Sequence, residues 1–443
     1  MVPIVRNKEG VVPNTKIEWW EIALMFFLLS ISGNPYVQGE NYDVFIIASF
    51  AIPAIHVLRN YKKSVSYRTI TILVFLLGYE ILHAFMFKLD YTLTFFKILL
   101  ALLLAVATAD ILKDRIIPVL TKTMIYISLV SFVFVFLCYI PGINRFLFNL
   151  AANLFPIEPD WKGHFAPTLL IFTFHPEFFR GEFAYVRNAG IFWESGAFAV
   201  FLTVTLFLHY STRPLKTFKD LFDKEALILI VAVISTASTM ALIALLTLLS
   251  FFSSQMKTVL KYVLIVFIII ACYLAFSTVE FMGNKMRKQL SESGTTNNRF
   301  GSALKDLNDF SKRPIFGWSR RNEVLFGTTL STALTHRPNG LTNLLRSYGL
   351  LYFTIYFILV FQTYKVIHQY YKHRTNYTIP AFGILLLFIV SFSEQIFDLI
   401  FFKFLIFVYA AYPLSSLRAE QIIKKPVYFI SQSVSAVRKR FTY

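Results

Sequence analysis

Apolar residues in this chain arrive in blocks of 15 to 23, beginning with IEWWEIALMFFLLSISG at 17–33 and recurring almost to the C-terminal tail. A block of that size is close to the ~20 residues an α-helix needs to cross a bilayer. Inside lipid every backbone N–H and C=O must find its partner within the protein, so a run of such blocks dictates helices rather than open strands. Charged residues make up only 15% of the 443, against roughly a quarter in soluble domains. The expected fold class is therefore an all-α polytopic membrane protein, a single integral membrane domain over 1–443.

Hydropathy places about 12 transmembrane helices, near 17–33, 43–59, 69–88, 91–112, 119–140, 190–210, 225–238, 240–255, 260–278, 341–363, 379–395 and 398–416. The short links 59–68, 211–224 and 364–375 are basic, as is the tail IIKKPVYFISQSVSAVRKR, whereas NPYVQGENY at 34–42 has no Lys or Arg. Lys and Arg in short links favour the cytoplasm, so both termini are expected inside. The stretch 226–252 could form one long tilted helix or two short ones turning at STAST. Two spans put 279–340 outside, and its ten Lys or Arg against five Asp or Glu do not forbid that, because long loops cross regardless of charge. The two larger extracytoplasmic loops are then 141–189 and 279–340. The apolar piece FAPTLLIFTF within the first is too short to span and is expected to lie in the interface. The first apolar run follows a hydrophilic leader and lacks a small-x-small cleavage site, so it is expected to remain as a span.

The formal net charge is +18, but no soluble basic domain exists to hold nucleic acid. Anionic headgroups or a phosphate-bearing lipid substrate suit such charge better. Cys138 and Cys272 both fall in apolar spans, where free thiols are expected. The chain has no GxxxxGK[ST] loop, no HExxH and no GxSxG, which removes most support for ATP-driven transport and metalloprotease chemistry.

Under this topology three polar clusters face the outside. In RNAGIFWESGAFAVFL at 187–202, Arg187 and Glu194 stand seven positions apart; if the segment is helical they share one face. The second cluster is NNRFGSALKDLNDFSKRPIFGWS, with Arg299 ahead of an expected helix and a Pro-Ile-Phe-Gly turn behind it. The third is THRPNGLTNLLRSYGLLYF, with His336 just before a span. Arginine keeps its charge, and its planar fork matches phosphate oxygens in pairs. Histidine titrates near neutrality and can take a proton from a hydroxyl. Together they describe glycosyl transfer from a lipid diphosphate. Each residue also has a plainer role open to it: a snorkelling anchor for Arg187, a salt-bridge partner for Glu194, a surface side chain for His336, headgroup contacts for Arg313, Arg320 and Arg321. Asp306 and Asp309 share a helix face but no third ligand follows, so no metal is expected. Glu394 and Asp398 read as polar groups at a tight outer turn.

The order of these motifs resembles the O-antigen polymerase and O-antigen ligase family. The residues carrying the resemblance are Arg187, Gly190, Phe192, Glu194 and Gly196; Ser235 and Ser238; Arg299, Pro314, Phe316 and Gly317; and His336, Asn339, Tyr348 and Gly349. It covers roughly residues 185 to 353, with Ser238-Thr239 where the family commonly has Ser-Arg. The resemblance implies a C-type membrane glycosyltransferase fold in the bacterial plasma membrane, working on its outer side without metal, nucleotide or other cofactor. The expected substrate is an oligosaccharide linked to undecaprenyl diphosphate. Arg187 and Arg299, with Arg337 beside them, would hold the diphosphate and His336 would act as base. Gly190 would give close approach, and Glu194 and Asn339 would support the site, Glu194 by orienting an arginine. The leading expectation is a polymerase joining repeat units into a surface polysaccharide, with the bilayer and a chain-length regulator as partners and no nucleic acid. A ligase transferring the glycan to lipid A core is the alternative, and a lipid-linked oligosaccharide transporter comes third.

Overall fold

The computed structural model describes residues 6–7, 10–11, 16–39, 41–60, 66–89, 92–157, 166–174, 185–255, 266, 299–326, 337–372 and 376–412. Apart from a two-residue ladder pairing Arg6–Asn7 with Gly10–Val11, the regular structure among them is helical. The helices are α1 (Trp19–Gly33), α2 (Pro35–Gln38), α3 (Tyr42–Ser49), α4 (Ala51–Asn60), α5 (Tyr67–Phe87), α6 (Thr92–Leu112), α7 (Ile116–Cys138), α8 (Ile143–Leu154), α9 (Ser195–Thr212), α10 (Phe218–Leu221), α11 (Lys224–Ser235), α12 (Thr239–Ser254), α13 (Arg299–Lys312), α14 (Asn322–Phe326), α15 (Gly340–Lys372), α16 (Thr378–Ser391) and α17 (Ile400–Ala411). Each expected span overlaps helix, though 190–194 and 392–395 are not helical, except 260–278, which lies outside the described residues apart from one position. Four helical stretches are long and apolar enough to cross a membrane by length and composition: Tyr67–Phe87, Thr94–Cys138, Ser195–Thr212 and Gly340–Lys372. The second of these is two helices, α6 and α7, divided by a 3-10 turn at Lys113–Arg115 in which Lys113 has φ 47°.

The innermost helix is α9. Each residue from Ser195 to Ser211 is buried, as expected for a helix apolar on all sides, and α7, α11, α12, α15 and α16 pack around it. Outer helices carry exposed apolar side chains, such as Phe85, Val133 and Phe136.

The stretch 226–252 divides at its Ser/Thr turn. Ala237 adopts φ 48°, and Thr236 and Ala237 close the end of α11 with N–H bonds to Val233 O and Ile234 O. The two helices then run in opposite directions. The Tyr210 hydroxyl near the C-terminal end of α9 donates to Leu221 O at 2.6 Å, just ahead of α11. At the other end of α11, Ser235 O accepts from Asn188 N at 3.1 Å, close to where α9 begins. Phe252, late in α12, comes back to Tyr210 with ring centroids 5.2 Å apart. The segment is a helical hairpin.

A second break lies inside α15. Gly349 has φ 73° and ψ 178°, a region that only glycine occupies readily. Such a kink strands backbone groups unless something inserts. Here the Pro314–Ser319 turn supplies partners: Leu350 N donates to Pro314 O at 2.8 Å, Trp318 N to Arg346 O at 3.0 Å and Ser319 N to Ser347 O at 2.8 Å. The approach is too close for side chains. A Cβ on Gly349 would lie 2.3 Å from Ile315 O, and one on Gly317, itself at φ 73°, would lie 2.5 Å from Ser347 O. The RPIFG and YG motifs are the two halves of one joint. His83 and Tyr79 on α5 clamp it, through Nε2 to Phe316 O at 2.7 Å and through the phenol to Tyr348 O at 2.6 Å.

The first loop differs from expectation. Its segment 166–174 does not lie along the surface: Thr168 and Thr173 form a bridge, and Phe172 and Phe174 are buried with Cys138, Ala151 and Val186. Asn34 ties it down, donating to Leu170 O at 2.9 Å and Ile191 O at 3.1 Å. The amphipathic element of that loop is α8, INRFLFNLAANL, whose Phe146 and Leu154 are exposed. Alternation of small and large apolar residues in FAPTLLIFTF hid the turn at Leu170, which sits at φ 65°.

Candidate functional site

The stretch 187–194 is not helical, so the shared face expected for Arg187 and Glu194 does not form. Gly190 turns at φ 54°, where a Cβ would press within 3.0 Å of the Phe198 ring. Glu194 is extended, at φ −153°, and immediately precedes α9. The two residues are instead placed at the same end of α9 by separate anchors.

The first anchor is Asn188, fully buried. Its amide donates to Ser131 Oγ at 2.8 Å and Ser235 Oγ at 3.0 Å, while its carbonyl accepts from Gly190 N at 3.0 Å. Both of the amide's N–H donors go into holding this turn against α7 and the α11–α12 hairpin. Half-buried Arg187 is thereby laid on the hairpin tip, with Nε donating to Thr236 O at 3.4 Å. The STAST turn is the shelf on which Arg187 rests.

The second anchor is the turn 392–399 between α16 and α17. A Cβ on Gly196 would meet Glu394 Oε1 at 2.4 Å and Glu194 Oε1 at 3.2 Å; both carboxylates face this glycine, which is why a side chain cannot stand there. Arg299, first residue of α13, comes to the same corner. Its Nε donates to Ser393 O at 3.2 Å and its Nη2 to Glu394 Oε1 at 3.5 Å. The Arg299 side chain keeps 21% of its surface exposed while Glu394 keeps 7%. Among the described residues Arg299 engages two of the five N–H donors that a guanidinium offers. Arg187, Glu194 and Arg299 therefore border one end of α9, from its two sides.

Arg337 differs from its expected role as a diphosphate ligand. It is buried, and its Nη1 donates to Asp306 Oδ1 at 2.9 Å and Asp309 Oδ2 at 2.7 Å. The two aspartates lie one turn apart on α13, so a single guanidinium reaches both. Its flat face lies over the Phe326 ring, 4.8 Å from the centroid. Thr342 Oγ1 donates to Asp306 Oδ2 at 2.8 Å, and Arg346 approaches Asp306 at 3.7 Å. The charge of Arg337 is answered inside the protein, and its effect is to pin α13 to the start of α15. Asn339 serves the same joint: its Oδ1 accepts from Thr342 N at 3.0 Å, capping the first turn of α15. Gln395 donates to Arg337 O from the facing turn. His336 lies outside the described residues.

Asn188, Glu394 and Gln395 were not singled out as functional by sequence. Asn188 had a usable signal, since a buried amide beside Arg187 needs partners and the Ser-rich stretch at 235–238 offers them. Glu394 is separated from Arg299 by 95 positions, and nothing local announces that pairing.

At the opposite end of α9, His209, Asp223 and Glu225 gather closely enough to suggest metal ligands. Arg213 occupies that place instead, donating to Asp223 Oδ2 at 2.9 Å and to Glu225, with His209 Nε2 3.0 Å from Asp223. The cluster is an ion-pair network that fastens α9 to the N-terminus of α11.

The chain matches no family model, and no curated protein matches it.

Proposed function

We propose that the protein is a glycosyltransferase that lengthens a surface polysaccharide, using oligosaccharide units carried on undecaprenyl diphosphate, at the outer face of the bacterial plasma membrane. The observation that carries this reading is the corner at the start of α9. Two arginines, Arg187 and Arg299, are held there by backbone carbonyls and one carboxylate, and the Arg299 side chain stays partly exposed. Arginine keeps its charge and its planar fork matches phosphate oxygens in pairs, so two of them at one end of α9 suit a diphosphate.

In this scheme the acceptor hydroxyl attacks the anomeric carbon and the bond from that carbon to the diphosphate oxygen breaks. The leaving lipid diphosphate gains negative charge, which Arg187 and Arg299 stabilise by preorganised charge-assisted bonds. His336 takes the hydroxyl proton. Glu194 and Glu394 hold the arginines in place, and Arg337 keeps α13 docked so that Arg299 stays in the corner.

The test is chain length in the native host. Arg187→Ala and Arg299→Ala should each leave single lipid-linked repeats and no long chains. Unchanged chain length in both removes the proposal. Long chains that stay on the carrier without being attached would make the protein a ligase.

A further inference from the structure

Against the Asp398–Lys403 segment lies a cavity of about 240 Å³. Its polar lining comprises Tyr42, Thr94, Lys97, Arg320, Asp398 and Lys403, with Gln38 at its edge. Three cations therefore share it with one carboxylate. Lys97 also reaches Asp43, at 3.1 Å, where both are substantially exposed. Lys403 is different: its side chain is 7% exposed, and its ammonium is 3.9 Å from Asp398 Oδ1, outside hydrogen-bond range. Asp398 is committed elsewhere, accepting from the Tyr348 hydroxyl at 2.9 Å. Arg320 is delivered by the same turn that closes the α15 kink, directly after Ser319, which takes φ 75°.

Burying an ammonium in an apolar helix costs several kcal/mol unless it is paired closely. A lysine present only to neutralise Asp398 would be expected to touch it. We propose that this cavity is a second anion site, one that takes the phosphate head group of a lipid between Lys403, Arg320 and Lys97. The size fits that assignment, since pockets that enclose a whole drug-sized molecule run to about 300–1,000 Å³ and this one holds a head group but not an oligosaccharide. The neighbouring phenol of Tyr42 and hydroxyl of Thr94 add neutral donors. Neither Arg187 nor Arg299 lines this cavity, and the assignment does not depend on glycosyl transfer being the activity.

The full-length protein in detergent can be titrated with inorganic diphosphate, farnesyl diphosphate and short-chain phosphatidylglycerol, with binding followed by native mass spectrometry. At least one of these probes should bind to Arg187→Ala/Arg299→Ala protein with an affinity that Lys403→Met lowers by roughly tenfold or more, the scale of one charged hydrogen bond. Arg320→Gln, at a position outside the helices, should do the same and covers the case in which Lys403→Met fails to fold. Binding of farnesyl diphosphate identifies a second carrier lipid, phosphatidylglycerol a bilayer lipid, and inorganic diphosphate alone a free anion; all three sustain an anion site. Equal affinity for every probe in Lys403→Met, Arg320→Gln and the parent would overturn it.

Discussion

Arg299 and Arg337 sit on neighbouring segments and carry the same charge, yet their surroundings assign them opposite tasks. Arg337 is locked between Asp306 and Asp309 at 2.9 and 2.7 Å, so Arg337→Ala leaves two buried carboxylates without their counter-charge. Removing one partner of a buried ion pair costs about 3–5 kcal/mol, and the thermal midpoint in detergent should fall clearly. Arg299→Ala removes a partly exposed side chain from a 3.5 Å contact and should lower the midpoint less than Arg337→Ala does while abolishing chain growth. An Arg337→Ala protein as stable as its parent would refute the pinning role. The residue types at both positions were legible in the sequence, and so was the shared helix face of Asp306 and Asp309. Their division of labour was not, because the carboxylates that decide it lie 28 to 95 positions away.

Among the elements, the joint between the Pro314–Ser319 turn and the α15 kink is the most exacting. Gly349→Ala must accept a conformation costing about 1–3 kcal/mol in itself and also displace Ile315 O from 2.3 Å. Loss of folded protein on size-exclusion chromatography is the expected outcome, whereas Gly78→Ala, where the added Cβ meets nothing, should behave as the parent. A well-folded Gly349→Ala protein would contradict the joint. The sequence announced a turn at PIFG and a helix through YGLLYF, but not that one completes the other, since their pairing is tertiary. The stretch 187–194 shows the converse failure. Helical spacing was read into a segment whose glycine at φ 54° and extended Glu194 rule the helix out.

The ion-pair network at the far end of α9 makes a pH prediction. Burial alone would raise the Asp223 carboxyl, but the bonds from His209 and Ala226 N and the charges of His209 and Arg213 outweigh it and hold the group well below the usual carboxylate range. A depressed folded-state pKa contributes stability that is complete above the unfolded value of about 3.9 and is lost as the pH falls through the folded one. The difference in thermal midpoint between the parent and Asp223→Asn should thus narrow progressively below about pH 4. A difference that persists unchanged to pH 3 would show that Asp223 acts through its N-cap bonds alone.

At the scale of the whole molecule, a fully buried central helix is surrounded by helices whose outer faces remain apolar, which is the arrangement expected when lipid is the solvent. Recurrent apolar blocks made that architecture readable. Helix lengths were less so, because 226–252 is shared between α11 and α12, helices of 12 and 16 residues, at a turn that apolar flanks conceal. The hairpin predicts that cysteines placed at Lys219 and Gln255 lie on one side of the membrane, so a membrane-impermeant thiol reagent should treat them alike in intact cells; opposite labelling would contradict it. The central claim concerns the other end of α9, where we propose that Arg187 and Arg299 act on one diphosphate. Its most direct measurement is the affinity of purified protein for farnesyl diphosphate in a background carrying Arg320→Gln, which weakens binding at the second cavity. Replacing both arginines by alanine should weaken binding about 100-fold or more, two charged hydrogen bonds' worth. An affinity unchanged by the double substitution would contradict the account.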